Sequence, residues 1–135
     1  MISLGQIRLE HPGSVYEARR KIYRLAQALG CDGIQSTRLA TAVSEAARRL
    51  RRSGSAPAIR VALAMEPAPA RLILDFEAGG RRPELHGLAG FFDSLRPHPG
   101  EGDGRLRAST LLPFLDPPSL DDFVNEQRAL IEALS

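Results

Sequence analysis

Residues 36–52 read STRLATAVSEAARRLRR, and the architecture of the chain follows from the one side of this stretch that must be buried. Leu39, Val43, Ala46 and Leu50 recur at steps of four, three and four, the spacing of one helical face, and Ala40, Ala42 and Ala47 add strong helix formers around it. Ser36 and Thr37 are placed to cap the start by accepting from free backbone N–H groups, while Ser53-Gly54-Ser55 and Pro57 end the helix. Arg48, Arg49, Arg51 and Arg52 suit the negative end of the helix dipole and otherwise read as a solvated face. Glu45 is the one acid in the stretch, and Arg48 and Arg49 follow it at ion-pair spacings of three and four.

Working outward, Ser14 is positioned to cap an earlier helix over Val15 to Leu29, with Val15, Ala18, Ile22, Leu25 and Leu29 on one face and Gly30 as its C′ residue. The short turn Cys31-Asp32-Gly33 then requires the two helices to pack as antiparallel or steeply crossed neighbours. Before them, Ile2 to Leu9 alternates apolar and polar with a slip at Gly5, which reads as a strand at a sheet edge. After them, Ile59 to Met65 alternates as a strand, and Arg71 to Phe76, RLILDF, follows as a second strand in hairpin relation across the proline-stiffened turn from Glu66 to Ala70. Two helices followed by a hairpin predict an α+β fold, a two-layer α/β sandwich with helices on one face of a mixed, mostly antiparallel sheet.

The chain has 135 residues, enough for one domain with one core. Hydrophobic residues make up 43% and charged residues 25%, with neither a long apolar run nor a signal peptide at the start, which reads as a soluble, cytoplasmic protein. Cys31 is the single cysteine, so it forms no intramolecular disulfide and is expected to pack as a small apolar group. His11, His86 and His98 do not form a spaced metal set, and no metal site is expected. The net charge of +2 is small and there is no tryptophan, which argues against nucleic acid as a partner.

The stretch ARRKIYRLAQALGCDGIQSTRLATAVSEAARRL resembles the first two helices of the GHKL (histidine kinase-like, Bergerat) ATPase superfamily, in particular bacterial anti-sigma-factor and stressosome-type serine kinases. The resemblance implies a Bergerat-like domain over residues 1–115. It assigns Glu45 as the catalytic base and puts Arg49 where the family carries a magnesium-holding asparagine. A guanidinium offers only donors and cannot ligate a metal ion, though it can contact a phosphate. EAGGRRPE, residues 77–84, is similar to the family's adenine motif D-x-G-x-G: Glu77 falls at the aspartate, Gly79 at the first glycine and Arg81 at the second, with Pro83 and Glu84 trailing. A register starting at Asp75 loses both glycines. Arg49, Glu77, Gly79 and Arg81 are thus the implied lining of a degenerate nucleotide pocket. ATP and magnesium are cofactors only if that pocket works, and otherwise none is expected.

Beyond this motif, residues 85–95 read as a short helix or lid remnant, 96–104 as a loop, and Leu106 to Leu115 as the last strand. Ser119, Asp121 and Asp122 start a final helix in which positions 120, 123, 127, 130 and 134 step as a heptad seam with Gln127 as its polar place. Residues 116–135 are therefore either a linker helix opening a signalling coiled coil or a terminal helix packed back on its own domain. Three functions follow. The first is a regulatory signalling module that has lost efficient ATP binding and works through a protein partner, following domains or a homodimer, away from membranes. The second is an active serine or histidine-type kinase with an atypical magnesium site. The third is an arginine-rich binder of acidic partners.

Overall fold

The computed structural model describes residues 1–53, 55–79, 82–99, 104–113 and 116–133. In chain order these form β1 (Ile2–Arg8), α1 (Gly13–Ala28), α2 (Gly33–Ser53), β2 (Ala58–Ala64), β3 (Arg71–Glu77), β4 (Ser94–Pro97), β5 (Arg105–Leu111) and α3 (Leu120–Glu132), with a 3₁₀ turn over Ala89–Phe91. The sheet order is β1-β2-β3-β5-β4. The fold is α+β with α1 and α2 layered on one sheet face, as the hydrophobic pattern requires. All four ladders are antiparallel, so the sheet among the described residues is uniform rather than mixed.

The stripe that predicted α2 is the stripe that is buried: Leu39, Val43, Ala46 and Leu50 are at most 1% exposed. They meet Ile22, Leu25 and Leu29 of the α1 region and the sheet residues Ile59, Val61, Leu63, Leu72, Leu74 and Phe76 in one continuous core. Burying each such side chain stabilises the fold by roughly 1.5–3 kcal/mol. Cys31 packs into this core beside the α1–α2 turn, and burial pushes its thiol pKa up.

Helix ends differ from the expected caps. α2 starts at Gly33, and its first turn is capped by Asp32, whose Oδ1 accepts from Gln35 N–H at 2.7 Å, while Ser36 lies inside the helix, fully buried. α1 starts at Gly13, so Ser14 is already helical and its hydroxyl accepts from His11 N–H at 3.3 Å. The C-terminal signal was direct. Gly30 has φ +89°, its N–H donates to Gln27, and Cys31 N–H donates to Ala26, the paired bonds of a Schellman motif that only a left-handed residue closes readily.

β4 lies within segments read as helix or lid remnant and as loop, because Arg96-Pro97 looks like a breaker. A proline is tolerated there since β4 is an edge strand and its missing N–H disrupts no second ladder. β5 runs from Arg105 to Leu111, and the expected extension to Leu115 ends on residues outside the described set.

The last helix, α3, lies along β1 and touches α1. Its buried residues are Val124, Gln127 and Ile131, a stripe offset from the heptad seam, while Leu120 is 37% exposed. Ser119 caps it as expected, accepting from Asp122 N–H at 3.3 Å. The chain's single lysine fixes the far end. Lys21, buried on α1, donates to the carbonyls of Ile131 at 2.9 Å and Ala133, two of the acceptors a helix C-terminus leaves open. Desolvation pulls the Lys21 pKa down from its ordinary value. Arg128 adds a bond to the Ser3 carbonyl of β1 at 2.9 Å.

Strand register divides the sheet into two unlike faces. Residues paired across antiparallel strands share a face. On the side away from α1 and α2, the ladders therefore align Gln6, Arg60, Asp75, Arg107 and Arg96 in one row, and Ala62, Ile73, Ser109 and Ser94 in the next. Arg8, Ala58, Glu77 and Arg105 flank the first row, and Ala64, Arg71 and Leu111 flank the second.

Candidate functional site

α2 presents Glu45 one turn before Arg49 on the flank that faces the segment after β3. Glu45 Oε1 accepts from Arg49 Nε at 3.1 Å, and its Oε2 accepts from Arg48 Nη1 at 3.3 Å. The hydrogen bond from Arg49, reinforced by Arg48 and by both positive charges, holds the Glu45 carboxyl below the usual carboxylate range. Arg49 also reaches across with Nη1 to the His86 carbonyl. Arg38, three turns earlier, donates to the Gly90 carbonyl at 3.2 Å and lies 5.4 Å from the Phe91 ring centre, a cation–π contact. Two arginines of α2 thus hold residues 86–91 against the helix. The guanidinium at the asparagine position is engaged with a carboxylate and a carbonyl, both of which need a donor.

An acidified, ion-paired carboxylate is a weaker proton acceptor than a free one. Removing Arg49 tests the pairing. In an NMR titration the Glu45 carboxyl of the wild type should protonate below the usual carboxylate midpoint, and in Arg49→Gln the midpoint should move up toward it. Because the folded-state pKa is the depressed one, the pair contributes above the unfolded midpoint and its contribution is lost as pH falls through the folded one. An unchanged midpoint in Arg49→Gln would show that Arg49 is not what acidifies Glu45.

Glu77 lies elsewhere. β3 turns Leu72, Leu74 and Phe76 toward the helices, so Ile73, Asp75 and Glu77 point to the opposite side of the sheet. There Glu77 accepts from Arg105 Nε at 2.8 Å and pairs with Arg60 Nε at 3.3 Å. The other register fares no better, since Asp75 shares that face and is held by Arg107 through two bonds of 2.8 and 3.0 Å. The structure therefore does not bring Glu45 and Glu77 together: the sheet separates them. Gly79 has φ +66°, and a Cβ built on it would fall 1.7 Å from the Ser55 carbonyl oxygen. The close backbone approach it permits is to the chain's own α2–β2 connection. Arg81 lies outside the described residues.

Two features of the helix-free face were not anticipated. One is the cluster Asp75, Arg107 and His98. His98 Nε2 stands 2.8 Å from Arg107 Nη2 and 3.4 Å from Asp75 Oδ2, and its buried Nδ1 has no hydrogen-bond partner among the described residues. Arg107 donates to Nε2, which places the neutral ring's proton on Nδ1. The hydrogen bonds to Asp75 raise the pKa of Arg107. The other is a groove of about 480 Å³ beside this cluster, with Ala64, Ile73 and Ser109 among its lining residues and Arg71, Arg96 and Arg107 as its cations. Alternation along β3 and β5 was the available signal for both, but only the ladder register shows that their polar residues share a row.

Among the described residues no cluster of three or more His, Cys, Asp or Glu side chains is placed to hold a metal ion, and no helix is long and apolar enough to cross a membrane. No family model, no curated protein and no solved structure matches the chain.

Proposed function

We propose that this chain is a regulatory module of a bacterial cytoplasmic signalling pathway. In this reading it is a histidine kinase-like, anti-sigma-factor-like domain that has lost efficient ATP binding and acts through contact with a protein partner. One observation carries the reading: Glu45, the residue the resemblance makes the catalytic base, is committed to Arg48 and Arg49, and Arg49 in turn is committed to the His86 carbonyl. Phosphoryl transfer asks for a base, a metal and a nucleotide converging within hydrogen-bond reach. Here the base is an ion-pair member, the metal-ligand position is a cation, and the carboxylate at the adenine position faces the other side of the sheet. A fold can outlast the chemistry it once carried, and function is argued from the site.

Calorimetric titration of the purified chain with ATP, with and without magnesium, tests the reading. No heat of binding is expected at millimolar nucleotide, in the wild type or in Glu45→Ala and Glu77→Ala. Micromolar, magnesium-dependent binding that weakens in Glu77→Ala would instead support an active kinase with an atypical magnesium site.

A further inference from the structure

We infer that the groove on the helix-free face of the sheet is a binding site for a small organic dianion, acidic at both ends and apolar between them. The groove is built by four strands. Ala64 ends β2, Arg71 and Ile73 come from β3, Arg107 and Ser109 from β5, and Arg96 from β4. Its volume of about 480 Å³ falls in the range of small-molecule sites, roughly 300–1,000 Å³.

The lining states the chemistry of the ligand. The side chains of Arg71 and Arg96 make no hydrogen bond or ion pair among the described residues, in contrast to Arg60, Arg105 and Arg107 on the same face, which are all held by Asp75 or Glu77. An unengaged guanidinium presents a planar fork of donors that matches a carboxylate or a phosphate. The two side chains are also rooted far apart. Arg96 pairs across β5 to the level of Asp75, four residues from Arg71 on β3 and two strands away. Their backbones are thus separated by about 10 Å across the sheet and about 13 Å along it. Two cations rooted so far apart are able to meet a ligand from opposite ends of the groove.

Between them the floor is apolar or small. Ile73 is 5% exposed although no helix among the described residues covers this face, and Ala64, Pro97 and Pro99 join it in the lining. Ser94 and Ser109 offer a hydroxyl pair 2.7 Å apart that already satisfies one of its own donors and keeps acceptor and donor capacity for a ligand. Arg107 is a third cation, fixed in orientation by Asp75 and His98. Glu66 is the one carboxylate among the described lining residues, so the site carries a net positive charge.

This inference does not rest on the nucleotide reading, because the groove and α2 lie on opposite sides of the sheet, and either can fail without the other. The test is an NMR titration of the full chain with adipate and with butane-1,4-disulfonate, beside hexanoate as a one-ended acid and 1,6-hexanediol as a neutral body. The expected result is saturable shifts of the Arg71 and Arg96 side-chain N–H signals and of the Ile73 and Ser109 amides with at least one of the dianions. Hexanoate should bind at least tenfold more weakly, and hexanediol should produce no saturable shift. Arg71→Gln and Arg96→Gln should each weaken dianion binding about tenfold or more, which is what loss of one charged hydrogen-bonding partner costs. Arg24→Gln, an exposed arginine on α1, should leave it unchanged. The inference is overturned if neither dianion gives saturable shifts, if hexanoate binds as tightly, or if Arg24→Gln weakens binding as much as Arg96→Gln does.

Discussion

Phe76→Ala should destabilise the protein by about 3–5 kcal/mol, the range for removing a fully buried aromatic ring. Phe76 is the largest side chain with no exposed surface among the described residues, and it stands on β3, the centre strand of the sheet, facing the helices. Its ring lies 6.1 Å from that of Phe92, inclined at 56°, a geometry that adds to plain burial. Phe92 follows the 3₁₀ turn, so the pair ties the segment held by Arg38 and Arg49 to the sheet as well as to α2. The cavity left by alanine would therefore loosen both layers at once. For a domain of this length the expected fall in Tm is roughly 10–20 °C, read by calorimetry or circular dichroism. Phe76→Leu keeps most of the apolar volume and should cost clearly less. A loss under about 1 kcal/mol for the alanine variant would mean that the ring does not organise the core.

Gly79→Ala should lower stability by about 2 kcal/mol or more, out of proportion to one added methyl group. Two costs combine. The backbone at Gly79 has φ +66°, where a side chain is strained, and the added Cβ would stand 1.7 Å from the Ser55 carbonyl oxygen, which belongs to the backbone and cannot rotate away. The connection between α2 and β2 must move, or the end of β3 must. Urea unfolding measures this directly, as a lower midpoint with an unchanged slope. The substitution also separates two explanations of one glycine. If Gly79 were there to let a nucleotide approach the backbone, alanine would impair ligand binding and spare the fold. If it is there for chain packing, the fold suffers, and a midpoint equal to wild type would reject the packing account.

Local pattern carried a good deal of this structure. The period of Leu39, Val43, Ala46 and Leu50, the alternation of β2, the apolar run of β3, the left-handed Gly30 and the Ser119 cap each depend on neighbours within one turn or one strand, and each appears where the residues imply. The weak points were junctions. Asp32 outcompetes Ser36 and Thr37 as a cap because the helix extends three residues further upstream, an extension that adds backbone bonds such as Ser36 N–H to Asp32 O at 2.9 Å. β4 carries a proline and is short, so nothing in its own residues marks it as a strand. It exists because β5 offers an edge to pair with.

Site residues divide in the same way. From its sequence alone this protein determines that Glu45 has arginine neighbours three and four positions on, and a helix then places them within reach. It also determines which residues of each strand point together, since side chains alternate along any strand. What the chain could not reveal locally is which strands are neighbours and which sheet face the helices cover, because both depend on pairings between residues far apart in sequence. That tertiary choice sends Phe76 inward and Glu77 outward, separates Glu77 from Glu45, and brings Arg71 and Arg96 into the lining of one groove. It also decides the last helix. A seam of Leu120, Phe123 and Leu130 suits a partner helix as well as it suits a sheet edge, and in this fold the buried Lys21 donates to the carbonyl end of α3.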